Sequence, residues 1–329
     1  MTTCYIASNQ STDKKASRKQ KPLGLGGRKP EWVRMSLAKA GELNKLKNEL
    51  RTGKLHTVCE EAACPNLNEC WSQGTATIMI LGDTCTRFCK FCNVNTGNPQ
   101  GKVDEDEPRR VGEQIAGSGF EYVVITCVDR DDLADGGSWI FAETIREIKR
   151  RAPHIKVEAL VSDYAGKISS QQTILAGNPD VLAHNVETVR ALTPIVRDRR
   201  ASYDQSLEFL KRIKTWNADK LTKSSIMVGL GETMDELTAT MDDLREAGVD
   251  IVTFGQYLRP ASRNLAVKRY YLPDEFVELE KIARAKGFLY VASGPLVRSS
   301  YRAAELFVHG ILKERATQKR DKVVSGAPG

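Results

Sequence analysis

The stretch ATIMILGDTCTRFCKFC, residues 76–92, sets the reading of the whole chain. Its first half, Ala76–Leu81, is an apolar, partly β-branched run stopped by Gly82. That is the pattern of a buried strand leaving its sheet through a turn. Its second half is polar and carries Cys85, Cys89 and Cys92 in the spacing C-x3-C-x2-C, with Phe91 just before the last cysteine. A buried strand therefore hands three thiols to one short loop.

The same strand signal recurs downstream at Tyr122–Thr126, Ile155–Leu160, Val181–His184, Ser224–Val228 and Ile251–Phe254. Helical patterns lie between, the clearest over Ser138–Arg151, Tyr203–Lys214 and Met234–Ala247, the last with Gly248 past its end as a C-cap. Strands alternating with helices imply βαβ units and a parallel sheet. Counting from Ala76 gives about six units, too few for an eight-fold barrel. The expected fold class is α/β, a partial (β/α)6 TIM-type barrel with the cysteine loop after its first strand. Active sites of such barrels lie at the carboxyl ends of the strands, where these loops fall. No internal repeat stands out.

Composition narrows the function classes. With 329 residues, 41% hydrophobic and 28% charged, the chain is neither fibrous nor wholly disordered, and no apolar run approaches a membrane span. The net charge of +7 sits in the ends: residues 1–30 hold seven Lys/Arg against Asp13, and 311–329 hold five against two acids. Such tails read as solvated and unstructured, and the body lacks the basic excess that a phosphate-reading face would carry. Neither a nucleic acid nor a membrane is expected as a partner. The N-terminus, MTTCYIASNQ, has no apolar core of a secretory signal, so a cytoplasmic location is expected. Its Ser/Thr- and Lys-rich, acid-poor character leaves an organelle transit peptide open.

Of eight cysteines, six fall within 34 residues: Cys59, Cys64 and Cys70 as C-x4-C-x5-C, then Cys85, Cys89 and Cys92. A large chain without a signal, cysteine-free over most of its length, points to metal or catalytic use rather than a disulfide framework. Structural zinc takes four ligands in two pairs, and two triplets do not divide that way, although His56 stands near Cys59. Thiolate triplets suit iron–sulfur clusters. Three ligands on a four-iron cubane leave one iron open to bind something that reacts. The expected layout is a tail over 1–30, an N-terminal cluster-binding extension over 31–74, the barrel over 75–292, a short C-terminal segment over 293–310, and a tail over 311–329.

The C-x3-C-x2-C loop with its aromatic resembles the signature of radical S-adenosylmethionine enzymes. Further motifs narrow the family: E-E-A-x-C-P-N at Glu60–Asn66, E-C-W at Glu69–Trp71, T-A-T-x-M at Thr75–Met79, V-D-R-D-D-L at Val128–Leu133, H-N-x-E-T at His184–Thr188, G-L-G-E-T at Gly229–Thr233, G-Q-Y-L-R-P at Gly255–Pro260 and G-P-x-V-R-S-S-Y at Gly294–Tyr301. Over roughly three quarters of its length, Gly53–Tyr301, the chain resembles the lipoyl synthases. The resemblance implies a sulfurtransferase that inserts sulfur at C6 and C8 of an octanoyl chain carried on a lysine. It implies two 4Fe–4S clusters and S-adenosylmethionine. Cys85, Cys89 and Cys92 would hold the cluster that cleaves S-adenosylmethionine. Cys59, Cys64 and Cys70 would hold a sacrificial auxiliary cluster, with Ser300 of the R-S-S-Y motif as fourth ligand. The implied partners are an octanoylated lipoyl carrier domain (a 2-oxoacid dehydrogenase acyltransferase subunit or a glycine cleavage carrier protein), a flavodoxin or ferredoxin as electron donor, and an iron–sulfur cluster carrier. A monomer is expected.

The chemistry is coherent. An unactivated methylene has no useful acidity, so a carbon radical must break its C–H bond, and a sulfide held beside it supplies the new bond. Asn185 and Glu187 are candidates for the ribose hydroxyls of S-adenosylmethionine. Phe91 and Thr126 are placed with them as cofactor contacts. Gly229 and Gly231 have the look of a phosphate loop without the Lys-Ser/Thr of a P-loop, so their expected task is to let the backbone approach the adenine. On residue type alone, Ser300 reads as a turn serine, His184 as a satisfied structural histidine, Cys127 as a small packing residue and Cys4 as incidental. Arg259 and Arg298 read equally as ligand contacts or ion-pair partners. Two other functions compete. A methylthiotransferase of the same chemistry would bring a dedicated N-terminal domain and a C-terminal RNA-binding barrel, for which the flanking lengths leave little room. A non-catalytic zinc or ferredoxin-like module would be separated by iron and sulfide content.

Overall fold

The computed structural model describes residues 29–33, 56–57, 77–118, 120–300 and 311. In chain order the strands are β1 (His56–Thr57), β2 (Thr77–Ile80), β3 (Thr84–Cys85), β4 (Asn95–Thr96), β5 (Tyr122–Cys127), β6 (Lys156–Leu160), β7 (Val181–Ala183), β8 (Leu221–Val228), β9 (Ile251–Gln256) and β10 (Tyr290–Gly294). The helices are α1 (Glu107–Ala116), α2 (Ser138–Arg151), α3 (Ile168–Ala176), α4 (Thr193–Val196), α5 (Tyr203–Trp216), α6 (Met234–Glu246) and α7 (Pro273–Ala285).

One sheet runs in the order β1-β2-β5-β6-β7-β8-β9-β10. All pairs are parallel except β1 with β2, where His56 and Thr57 lie antiparallel to Met79 and Ile78. Sequential parallel strands joined through helices make the partial (β/α) barrel that the alternation implied. The sheet has two strands beyond the six read from the sequence, the antiparallel β1 at one edge and the parallel β10 at the other. Tyr290–Gly294 lies beside β9 in register Tyr290↔Ile251 and straddles the boundary expected at residue 292. Only Val291 and Ala292 of it are buried, so its apolar signal is short.

Period-two alternation sorts the strand side chains onto two faces. Val123, Ile125, Val157, Ala159, Leu182, Val252 and Phe254 join the large core beneath the helices. The other set faces the barrel axis. At the lower end Tyr122, Val124, Val181, Leu221 and Ile251 pack together, with Ile311 against them. At the upper end Thr126, Leu160, Ser225 and Gly255 line a cavity of about 870 Å³. Between the two layers, Lys223 Nζ bonds both Glu158 oxygens at 2.8 Å, and Tyr122 Oη donates to Glu158 Oε2 at 2.6 Å. This buried pair sits one layer below Leu160 and Ser225, outside the cavity lining.

Local chemistry fixes the helix ends. Helix α6 starts in a capping box: Thr233 Oγ1 accepts from Glu236 N, and Glu236 Oε2 accepts from Thr233 N. It stops at Gly248, whose φ of +78° is the left-handed turn expected there. Helix α5 is capped by Ser202, which accepts from Gln205 N at 3.1 Å, and runs two residues beyond the expected Lys214.

Candidate active site

The cysteine loop leaves β2 through Leu81 and Gly82, both at positive φ (69° and 89°). A leucine there is strained and must be held. Its N–H donates to Glu107 Oε2 at 2.8 Å, and its carbonyl accepts from Arg130 Nη1 at 3.2 Å. The loop then passes through the short parallel ladder of β3 with β4, which pairs Cys85 with Thr96. Its far end is gripped from the loop after β9: Asn264 Nδ2 donates to Cys92 O at 2.7 Å, and Leu265 N to Lys90 O at 3.1 Å.

At its centre lies Arg87, with 2% of its side chain exposed. Nε and Nη2 bond the two oxygens of Asp131, each at 2.9 Å. Nη1 and Nη2 bond the two oxygens of Asp163 at 2.9 and 2.7 Å. One buried guanidinium therefore forks twice, joining the cysteine loop to the loops after β5 and β6. Bidentate charged pairs of this kind fix geometry as well as adding energy. Burial alone would raise the Asp163 carboxyl, but the bonds from Arg87 outweigh it and hold the pKa at about 2.

Cys85, Cys89 and Cys92 all line the cavity. Burial pushes the thiols of Cys85 and Cys89 up to about 12, with the charge of Asp129 adding to it, and raises Cys92 as well. Two backbone N–H groups already aim at sulfur: Arg87 N at 3.4 Å from Cys85 Sγ, and Asp198 N at 3.3 Å from Cys89 Sγ. These donors stabilise thiolate when the proton leaves. Asp129 sits beside them, accepting from Cys85 Sγ at 3.8 Å; burial outweighs the nearby Arg87 and lifts its carboxyl to about 6. Among the described residues, no three His, Cys, Asp or Glu side chains converge on the point a lone metal ion would occupy. A cubane has no such need, since it presents a separate iron to each thiolate. A soft three-sulfur donor set at the wall of a cavity, with N–H donors to sulfur, fits a four-iron cluster.

The other expected site residues divide. Ser300 lines the same cavity as the three thiols, as do Phe91, Thr126, Asn185 and Glu187. Asn185 Nδ2 donates to Glu187 Oε1 at 3.1 Å, while Asn185 Oδ1 is buried without a hydrogen-bond partner. Glu187 has a positive φ of 67° and bridges to β8, Glu187 N donating to Ser225 O at 3.1 Å. Burial raises its carboxyl. An orphaned acceptor beside a buried carboxyl suits a ligand bearing hydroxyl donors.

Gly229 and Gly231 are not among the residues that line the cavity. The N–H groups of Gly229, Leu230 and Gly231 all donate to the carboxylate of Glu232, at 2.5, 2.9 and 3.0 Å. The loop has filled its own anion hole. Gly229 is needed because a Cβ there would lie 2.1 Å from Gln256 Nε2. The close approach at Gly229 is to Gln256, whereas a Cβ on Gly231 would meet only Lys268 Cγ, at 3.6 Å. His184 is the satisfied structural histidine: Nδ1 donates to Val161 O at 2.8 Å and Nε2 pairs with Ser206 Oγ at 2.9 Å. Cys127 lines the cavity and its thiol is raised by burial. Arg259 and Arg298 both line it and donate to backbone carbonyls, Arg259 Nε to Asn264 O and Arg298 Nη1 to Val297 O. Cys59, Cys64, Cys70 and Cys4, with most of both tails, lie outside the described residues.

Sequence reasoning missed Arg87, Asp131 and Asp163 as a unit. An arginine set between two cysteines, just after a buried strand, was the available signal, because such a charge, once buried, demands carboxylates.

Comparison with known proteins agrees with this geometry. A sequence model of the Radical SAM superfamily matches residues 79–244, and one of the N-terminal domain of lipoyl synthase matches residues 5–64. Lipoyl synthase of Thermus thermophilus is 54% identical over 90% of this chain and 91% of its own length. The mitochondrial lipoyl synthase of Yarrowia lipolytica is 51% identical over 89% of this chain and 85% of its own. Among solved structures, the FeFe-hydrogenase maturase HydG from Carboxydothermus hydrogenoformans shares the fold with a TM-score of 0.50 at 12% identity, over 83% of this chain and 78% of that one. With the cysteine loop, its buried brace and the shared barrel in place, the chain belongs to the lipoyl synthase family within the radical S-adenosylmethionine superfamily.

Proposed function

We propose that this chain inserts sulfur at C6 and C8 of an octanoyl group held in amide linkage on a lysine of a lipoyl carrier domain. The observation that supports this reading most directly is Ser300. It is distant in sequence from the cysteine loop, yet lines the same cavity as Cys85, Cys89 and Cys92.

A four-iron cluster and S-adenosylmethionine are the cofactors of the superfamily. Cys85, Cys89 and Cys92 would hold a cluster that supplies an electron to S-adenosylmethionine, and Cys59, Cys64, Cys70 and Ser300 would hold a second one as the source of sulfur. The chain's own residues create the conditions. The three thiols lose their protons on metal binding, and the N–H groups of Arg87 and Asp198 receive the resulting charge. Asn185 and Glu187 offer acceptors to the ribose hydroxyls, and Phe91 and Thr126 complete that wall. Met79, Leu160, Val161 and Ile226 give the cavity apolar sides that keep water from a carbon radical. Its volume suits a nucleoside and a short acyl chain together. Ser300 offers iron a hard oxygen, a weaker partner than thiolate and easier to release.

The partners that follow are an octanoylated carrier domain of a 2-oxoacid dehydrogenase or of the glycine cleavage system, a flavodoxin or ferredoxin, and an iron–sulfur carrier. The enzyme acts as a monomer in the cytoplasm on this reading. No helix among the described residues is long and apolar enough to cross a membrane.

The test is mass analysis of an octanoylated carrier peptide after anaerobic reaction with S-adenosylmethionine and a reductant. The gain of two sulfurs is expected, and an unmodified octanoyl peptide from iron-loaded enzyme overturns the proposal. Cys64→Ala is expected to retain formation of 5′-deoxyadenosine and to give no lipoyl product. Lipoyl peptide from that variant removes the donor role of the first triplet.

A further inference from the structure

Each turnover needs an electron from outside, and the cavity side of the cysteine loop is where cofactor and acyl chain must sit. The other side of the loop is built differently. Cys89, Phe91 and Cys92 line the cavity, whereas Phe88 and Lys90, which alternate with them, do not. Phe88 is 57% exposed. The loop is laced to the segment after α4: Phe88 N donates to Asp198 Oδ2 at 2.7 Å, Lys90 N to Val196 O at 2.9 Å, and Asp198 N to Cys89 Sγ at 3.3 Å. Ile195, 52% exposed, and the exposed Arg199 directly flank Val196 and Asp198, the two residues that this lacing joins to Phe88 and Lys90. Asp198, the acid of this segment, is taken up by Arg200 at 2.8 Å. Among the described residues, neither Lys90 nor Arg199 has a carboxylate at ion-pair distance.

We propose that this outer face, with Phe88 and Ile195 at its centre and Lys90 and Arg199 as its charges, docks an acidic one-electron carrier protein. The inference deepens the reading under Proposed function and rests on it. Phe88 directly precedes Cys89, so a carrier seated there reaches the metal-binding sulfurs by a path that turnover leaves clear. A small apolar centre with unpaired surface cations is the footprint of a transient, electrostatically steered contact. The acyl carrier domain fits the face poorly, because its tethered chain must enter the cavity, which these residues do not line.

The experiment compares wild type with Lys90→Glu/Arg199→Glu, both loaded with iron and sulfide. It follows 5′-deoxyadenosine formation driven either by dithionite or by reduced flavodoxin, at low and high salt. The expected result is a dithionite-driven rate unchanged within about twofold and a flavodoxin-driven rate lowered about tenfold or more at low salt. The wild-type rate with flavodoxin falls as salt rises, and the variant rate is much less salt-dependent. A flavodoxin-driven rate equal to wild type overturns the proposal, as does an equal loss with both reductants. A dithionite-driven rise in KM for the octanoylated carrier assigns the face to that partner instead and also overturns it. Wild type that cleaves nothing with either reductant overturns the parent reading and this inference with it. Should the charge reversal fail to load iron, Lys90→Gln/Arg199→Gln with Phe88→Ser carries the same comparison.

Discussion

Replacing Arg87 by lysine keeps a positive charge and removes both forks. Asp163, fully buried, then keeps at most one of its charged bonds, and Asp131 loses its paired geometry. Broken buried pairs of this kind cost about 3–5 kcal/mol, and the retained charge trims that figure. Arg87→Lys is expected to lower the melting temperature of the apo-protein and to reduce iron bound after anaerobic reconstitution. Wild-type iron content together with an unshifted melt would contradict the bracing role. His184 gives a second residue-level test. Burial lowers its pKa to about 4, and the neighbouring Arg197 opposes the attraction of Asp163. The unfolded chain takes up this proton near pH 6.5 and the folded one only near 4. Stability is therefore intact above 6.5 and falls by about 3 kcal/mol as pH drops towards 4. Urea titrations of wild type and His184→Gln should diverge across this window, with the flatter profile in the variant.

At the scale of elements, the junction of β2 with α2 is set by close contact. Gly137, at φ +82°, precedes α2, and a Cβ there would meet Leu81 Cδ1 at 2.5 Å. Gly137→Ala combines an unfavourable backbone with that clash, and a loss of about 1–3 kcal/mol is expected from chemical denaturation. A variant as stable as wild type would show that Leu81 moves freely. Much of this scale is legible in the sequence. β5, the run Ser138–Arg151 and the alternation of strand and helix follow from apolar periodicity, which is local. β10 is not legible, because its five residues include Ala, Ser and Gly and offer a short apolar signal. The charge brace is hidden for another reason: Arg87 and Asp163 are 76 residues apart, and nothing local announces their meeting. The use of the N–H groups at 229–231 is not legible either, because a glycine-rich turn reads the same in sequence whatever its N–H groups meet, here Glu232.

For the whole molecule, the barrel is divided into a buried charged layer and a mouth. The charged layer is the pair Lys223–Glu158, with side-chain exposures of 2% and 1%. Lys223→Met strands a buried carboxylate and is expected to cost about 3–5 kcal/mol. Lys223→Met/Glu158→Leu removes both charges and is expected to recover most of that loss. A double variant no more stable than the single one would show that packing, not charge, holds this layer. The mouth carries the thiols, Ser300 and the aspartates, so that the buried pair and the chemistry occupy successive layers of the barrel.

The brace has one more effect, through the sign of its surroundings. Around the thiols, Asp129, Asp131, Asp163, Asp198 and Glu187 face Arg87, Arg197 and Arg200, leaving an excess of two negative charges when all are ionised. In a poorly screened pocket that excess makes any arriving electron harder to accommodate. A redox group seated there is biased toward a low midpoint potential, so once reduced it is driven to pass its electron onward, and neutralising one aspartate should shift that midpoint upward.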